Sequence, residues 1–204
     1  MSDAAALAPP HDYVSPLPVD AMPPAIVALR DSREPVWLFA YGSLIWNPEM
    51  AFAEARPALL RGWHRSFCLY SRDYRGTPQR PGLVLGLDRG GACRGMAFRL
   101  PQDALGAAID RIWAREMAGQ VYDMRRVATG TAAGPLPAYA FTVRRNNPDY
   151  AGRLSPETVA HIVAGAEGGR GTGRDYLANT VRHLEALGIR DATLRRIAER
   201  VRAL

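Results

Sequence analysis

The chain has 204 residues, 48% of them apolar and 23% charged, which suits one soluble globular domain with a buried core; no apolar run approaches the roughly 18 residues needed to span a bilayer. Two cysteines, Cys68 and Cys93, form neither a disulfide framework nor a metal-ligand spacing, and each falls in a strand-like stretch where a buried thiol is expected. The net charge of +6 rests on 26 arginines and no lysine, scattered from Arg30 to Arg202 without interleaved aromatics, so nucleic acid is not an expected partner.

In chain order, residues 1 to 34 are rich in Ala, Pro and Asp and are expected to form a flexible or loosely docked extension, with a short helix around Ala25 to Asp31. This start lacks the basic residues and apolar core of a secretory signal, so a cytoplasmic location is expected. Residues 35 to 204 are expected to form the folded domain. "VWLFA" reads as a strand covered on both faces, and "ALLRGWHRSFCLY" as a second strand. "SRDYRGTPQRPG" is a polar loop, and "GLVLGLDRGGACRGMAFRL" reads as a hairpin turning at Asp88 to Gly91. In "PQDALGAAIDRIWAREMAG", Leu105, Ile109, Ile112, Trp113 and Glu116 share one helical face, with Gly119 as the stop. "YDMRRVATG" and "LPAYAFTV" read as a hairpin, and the last quarter as helices starting at Ser155 and Asp191, with "GGRGTGRDYL" as an inter-helix turn. Strands first and helices later predict an α+β fold built on an antiparallel sheet or barrel.

Two features carry possible chemistry. Glu116 ends the apolar stripe of its helix: it is either a charge reaching out to water or a carboxylate set in an apolar wall and suited to proton transfer. Periodicity does not choose between these. The stretch Tyr41-Gly42-Ser43-Leu44 interrupts a buried strand: it is either a plain turn or a place where backbone N–H groups converge on an anion. Ser43 lacks the G-x-S-x-G setting of a serine nucleophile, and His11, His64, His161 and His183 make no metal pair.

The ordered segments "LFAYGSLIWNP", "YSRDYRGTPQRPG", "RGMAFRL", "REMAGQVY", "NNPDYAG" and "GRDYL" together resemble the ChaC-type gamma-glutamylcyclotransferases, over Val36 to Leu194. The resemblance implies a compact β-barrel with flanking helices that needs neither metal nor organic cofactor. It implies cleavage of glutathione to 5-oxoproline and cysteinylglycine, other gamma-glutamyl peptides or amines being the alternative substrates. It implies that Glu116 is the catalytic glutamate and that Tyr41, Gly42, Ser43 and Leu44 form the substrate-binding loop. Tyr122 and Tyr150 match tyrosines lining that pocket, and Arg72 matches a basic position near the substrate. The chain departs from the family pattern at Arg65-Ser66, where a double arginine is usual before Phe67, and at Gly119, one place early. A non-catalytic binding module and a basic nucleic-acid binder remain as readings of a different class, and the sequence says nothing of oligomeric state.

Overall fold

The computed structural model describes residues 22–117 and 119–204. Strands β1 (Trp37–Ala40), β2 (Glu54–Ser71), β3 (Gly82–Arg99), β4 (Tyr122–Thr131) and β5 (Gly134–Val143) close into a barrel in the order β1-β3-β2-β4-β5. The barrel is mixed: β1 is antiparallel to β3 and parallel to β5, and β4 is antiparallel to both β2 and β5. Helices α1 (Pro24–Val27), α2 (Leu105–Glu116), α3 (Pro156–Gly165), α4 (Gly173–Ala186) and α5 (Ala192–Arg202) complete the α+β fold, with a small ribbon of β6 (Glu167–Gly168) and β7 (Gly171–Thr172) between α3 and α4. Among the described residues no helix is long and apolar enough to cross a membrane.

The described residues divide into two units, and β2 and β3 run from one into the other. The first comprises residues 22–64 and 87–144 and holds the barrel core. Alternate residues point inward along each strand, as a barrel wall requires: Trp37, Phe39 and Tyr41, then Ala58 and Leu60, then Ala138 and Ala140. Leu38 and Ala40 are buried as well, so β1 is covered on both faces, as its unbroken apolar run predicted. Gly95 of β3 lets the end of β1 come close, because a Cβ there would lie 2.3 Å from the carbonyl oxygen of Ala40.

The predicted hairpin at Asp88 to Gly91 is not formed. β3 passes through these residues as one strand, and Gly90 and Gly91 take positive φ values of 101° and 66°. The glycine pair therefore bends the strand instead of reversing it. The β4–β5 hairpin does form: Thr131 pairs with Gly134, Gly134 has φ 107°, and the Thr131 hydroxyl accepts from Ala133 N–H and donates to the Gly134 carbonyl.

Helix α2 buries Leu105, Ala108, Ile109, Ile112 and Trp113, the face its periodicity predicted. It ends at Glu116, before Gly119, and the left-handed residue that follows is Gln120 with φ 52°. The expected extension lies outside the described residues over residues 1–21. Its described part packs in place: Met22 and Ile26 are buried, α1 leads into a 3-10 turn at Ala28–Asp31, and Arg30 pairs with Asp110 of α2 at 2.9 Å.

The second unit, residues 65–86 and 145–204, packs α3, α4 and α5 against one another. Their starts are capped by Ser155, Thr172 and Asp191, whose side chains accept from Thr158, Asp175 and Leu194 N–H. Arg65, almost wholly buried, pairs with the Asp191 cap at 2.7 Å and so ties β2 to the start of α5. Cys68 and Cys93 are both buried, one in each unit, as expected, and are not joined in a disulfide.

Candidate active site

Tyr41, Gly42, Ser43, Leu44, Glu116 and Tyr122 all belong to the barrel unit. β1 ends at Ala40, and the chain passes through Tyr41 and Gly42 into a 3-10 turn at Ser43–Ile45. The turn's hydrogen bonds are donated by Ile45 N–H to the Gly42 carbonyl and by Trp46 and Asn47 N–H to the Ser43 carbonyl. The N–H groups of Gly42, Ser43 and Leu44 stand ahead of that ladder and are not used within it, the usual state of the first donors of a helical turn. The Tyr41 side chain serves the core: it is buried, and its hydroxyl donates to the Phe141 carbonyl at 2.9 Å. Tyr122 opens β4 opposite Val143 and meets the edge of the Phe141 ring at 6.3 Å, so both tyrosines are set by the same residue of β5.

Glu116 is the last residue of α2, and its side chain is only 14% exposed. The side chain does not extend freely into water. Its carboxylate lies 3.0 Å from Nε of Arg115. The same guanidinium donates to the Ser43 hydroxyl at 3.0 Å and to the Asn47 carbonyl, and stands 3.5 Å from the Glu49 carboxylate. Arg111, one turn earlier on α2, donates to the Glu49 carbonyl at 3.2 Å. Spacing of four residues places both arginines on the side of the helix that faces the loop after the turn. That loop is itself braced by Asn47 donating to Glu49, which sits at φ 55°.

Next to Tyr122, burial disfavours the ionised Asp123 carboxylate, yet hydrogen bonds from Arg144 and Arg125 outweigh this and hold it below its ordinary pKa.

Arg72 and Tyr150 belong to the second unit. Arg72 is buried and pairs with Asp149 at 2.8 Å, and it also donates to the Pro78 carbonyl. Tyr150 follows Asp149 on a segment that runs along β2: Tyr70 N–H donates to the Asp149 carbonyl and Ala151 N–H to the Cys68 carbonyl. The Arg145 guanidinium lies 5.9 Å from the Tyr150 ring centre. Burial raises the pKa of the Tyr70 hydroxyl, with the Arg72 charge opposing.

Arg115 and Glu49 in the barrel unit, and Asp149 in the second unit, are partners of the candidate residues that sequence reading missed. Arg115 was visible only as the residue before Glu116, and Asp149 only as the residue before Tyr150. Among the described residues no group of His, Cys, Asp and Glu is placed to hold a metal ion. His64, His161 and His183 each lie with Nδ1 at 2.8 to 3.1 Å from a backbone carbonyl, and His11 lies outside the described residues.

Comparison with known proteins gives a consistent picture. Residues 36–204 match the family model described as "ChaC-like protein". The glutathione-specific gamma-glutamylcyclotransferase of Escherichia coli (strain K12) is 35% identical over 181 residues, covering 88% of this chain and 78% of that protein. Glutathione-specific gamma-glutamylcyclotransferase 1 of Mus musculus is 29% identical over 192 residues, covering 91% of this chain and 84% of its own. The crystal structure of the yeast gamma-glutamylcyclotransferase specific to glutathione superimposes with a TM-score of 0.77 at 20% identity, covering 84% of this chain and 97% of that one. At that identity the likeness speaks for the shared barrel fold.

Proposed function

The chain belongs to the ChaC-like family, and on that premise we propose that it is a gamma-glutamylcyclotransferase cleaving glutathione into 5-oxoproline and cysteinylglycine, with Glu116 as the proton-transfer group. The observation that carries the role of Glu116 is its side chain at the end of the apolar face of α2, linked through one guanidinium to the Ser43 hydroxyl of the turn that follows β1.

The substrate holds its own nucleophile. Its α-amine attacks its γ-carbonyl, a C–N bond closes the five-membered ring, and the C–N bond to the cysteinyl nitrogen breaks. Because the attack is intramolecular, it gains from proximity and needs no protein nucleophile. The obstacle is the proton: near neutral pH the amine is mostly ammonium. Glu116 takes that proton and returns it to the departing cysteinyl nitrogen; the second proton, lost from the ring nitrogen as the amide forms, passes to the released amine or to solvent, so the enzyme ends each cycle in the state in which it began. The N–H groups of Gly42, Ser43 and Leu44 receive negative charge, either the α-carboxylate of the gamma-glutamyl group or the developing oxyanion. Tyr122 contributes an aromatic wall. Arg72 and Tyr150 are assigned to substrate binding by the family resemblance, Arg72 as a basic group near the substrate.

The reading includes a small-molecule substrate, no nucleic-acid partner and a cytoplasmic location, where glutathione is abundant. It is tested by incubating the purified chain with glutathione and, separately, with several gamma-glutamyl dipeptides, and assaying 5-oxoproline and the released amine. Release from glutathione well above that from the dipeptides is expected. Release from the dipeptides alone would overturn the assignment of substrate, and release from none would overturn the assignment of function.

A further inference from the structure

We propose that Arg115 is a positioning residue for this reaction, its single guanidinium fixing the Glu116 carboxylate relative to the Tyr41–Leu44 turn. The inference rests on the assignment of Glu116 as the proton-transfer group.

Three observations carry it. Adjacent residues of a helix point about 100° apart and do not ordinarily face each other, yet the two side chains meet at 3.0 Å. The point where they meet is defined from outside the helix, by the Ser43 hydroxyl and the Asn47 carbonyl that the same guanidinium holds. Second, Glu116 occupies the C-terminal end of α2, where the helix dipole disfavours a carboxylate and favours a cation. Arg115 supplies the opposing charge at that spot. Third, Arg115 is 10% exposed, whereas Arg111 joins the same loop with one bond to the Glu49 carbonyl and stays at the surface. A loop staple alone did not require a buried guanidinium, since Arg111 already provides one. Burying a cation is costly unless it is paired and its hydrogen bonds are met, and here two carboxylates, a hydroxyl and a carbonyl meet them.

Arg115 contacts the carboxylate; Glu49 of the loop shares the same guanidinium, and Arg111, one turn back, donates to the Glu49 carbonyl. The Arg30–Asp110 pair lies further towards the helix start. Removing Arg115 takes away the cation that both Glu116 and Glu49 contact.

The test is the pH dependence of 5-oxoproline release from glutathione by the full chain and by Arg115→Met, Arg115→Lys and Ser43→Ala, from about pH 5 to about pH 9. Arg115→Met is expected to lower kcat about 10- to 100-fold and to move the acid limb of kcat/KM upward by about one pH unit, because the cation that favours the ionised carboxylate is gone. Arg115→Lys is expected to restore the acid limb but only part of kcat, since an ammonium lacks the planar fork that reaches Ser43 and Glu116 together. Ser43→Ala is expected to lower kcat with the acid limb unmoved. A Met variant within about threefold of the wild type, or an acid limb that stays in place in the Met variant, overturns the proposal. If the Met variant does not fold, a Lys variant with wild-type kcat overturns it equally. A wild-type chain that releases no 5-oxoproline overturns the underlying function instead.

Discussion

Arg75, in the helical unit, and Arg115, in the barrel unit, both reach from one chain segment to the carbonyl oxygens of another. Arg75 donates to the carbonyls of Arg170 and Thr172, and its guanidinium lies 5.2 Å from the centre of the Tyr176 ring. Around it, Gly169 and Arg170 N–H donate to the carbonyls of Asp73 and Tyr74, and a Cβ on Gly168 would meet Gly76 N at 2.5 Å. That joint is complete in itself: carbonyls, a ring face and close backbone contact. Arg115 also holds a carbonyl, but it adds the Ser43 hydroxyl and the carboxylates of Glu49 and Glu116. The comparison teaches that an arginine bridging two segments marks a site only through what it holds. One holds backbone and stabilises a loop; the other holds a group that can carry a proton.

The largest effect that would sharpen this contrast is expected from Glu116→Gln, which keeps the size of the side chain and removes its proton chemistry. Turnover should fall by about 10³-fold or more, with the thermal midpoint within a few degrees of the wild type and glutathione still bound. A melting curve and a binding isotherm on the same sample check all three. Arg75→Met should do the reverse. Removing the staple is expected to cost about 1–2 kcal/mol, roughly 2–8 °C in thermal midpoint, and to leave kcat within about threefold. A large loss of kcat at unchanged stability would break the comparison by giving Arg75 a part in the reaction.

The smallest effect concerns Asp123, beside Tyr122 at the start of β4. Its folded pKa is lowered from an ordinary value of 3.8, burial opposing and hydrogen bonds from Arg144 and Arg125 prevailing. A carboxylate with a lowered folded pKa adds stability above its unfolded pKa and loses it as pH falls through the folded value. Asp123→Asn is thus expected to melt about 1–2 °C below the wild type near pH 6, with the gap closing towards about pH 3. A gap that persists at low pH would show that charge is not the cause.

Much of the architecture was legible in the sequence because it repeats at short range. The stripe from Leu105 to Trp113 defined α2, and the run from Val36 to Ala40 defined a strand buried on both faces. The caps at Ser155 and Asp191 marked the starts of α3 and α5. The Gly90-Gly91 pair misled because a turn signal does not distinguish a reversal from a bend, and only pairing with distant strands decides it. The candidate site was proposed from two poles in the sequence, Glu116 and the Tyr41–Leu44 turn, but what joins them was not legible there. Arg115 finds Asn47 and Ser43 at separations of 68 and 72 residues, and Arg72 finds Asp149 at a separation of 77. Contacts at that range carry no periodicity, so an arginine that orders a site reads like any of the other 25.

The central claim is that the gamma-glutamyl group leaves by closing on itself with Glu116 moving the proton. The most direct measurement is the product balance from glutathione, resolving 5-oxoproline, cysteinylglycine and free glutamate, for the wild-type chain and Glu116→Gln side by side. The expected result is equimolar 5-oxoproline and cysteinylglycine from the wild type, no free glutamate, and next to no product from the variant. Free glutamate in place of 5-oxoproline would mean hydrolysis by water, and undiminished 5-oxoproline from the variant would mean that another group carries the proton. Either outcome would contradict the claim.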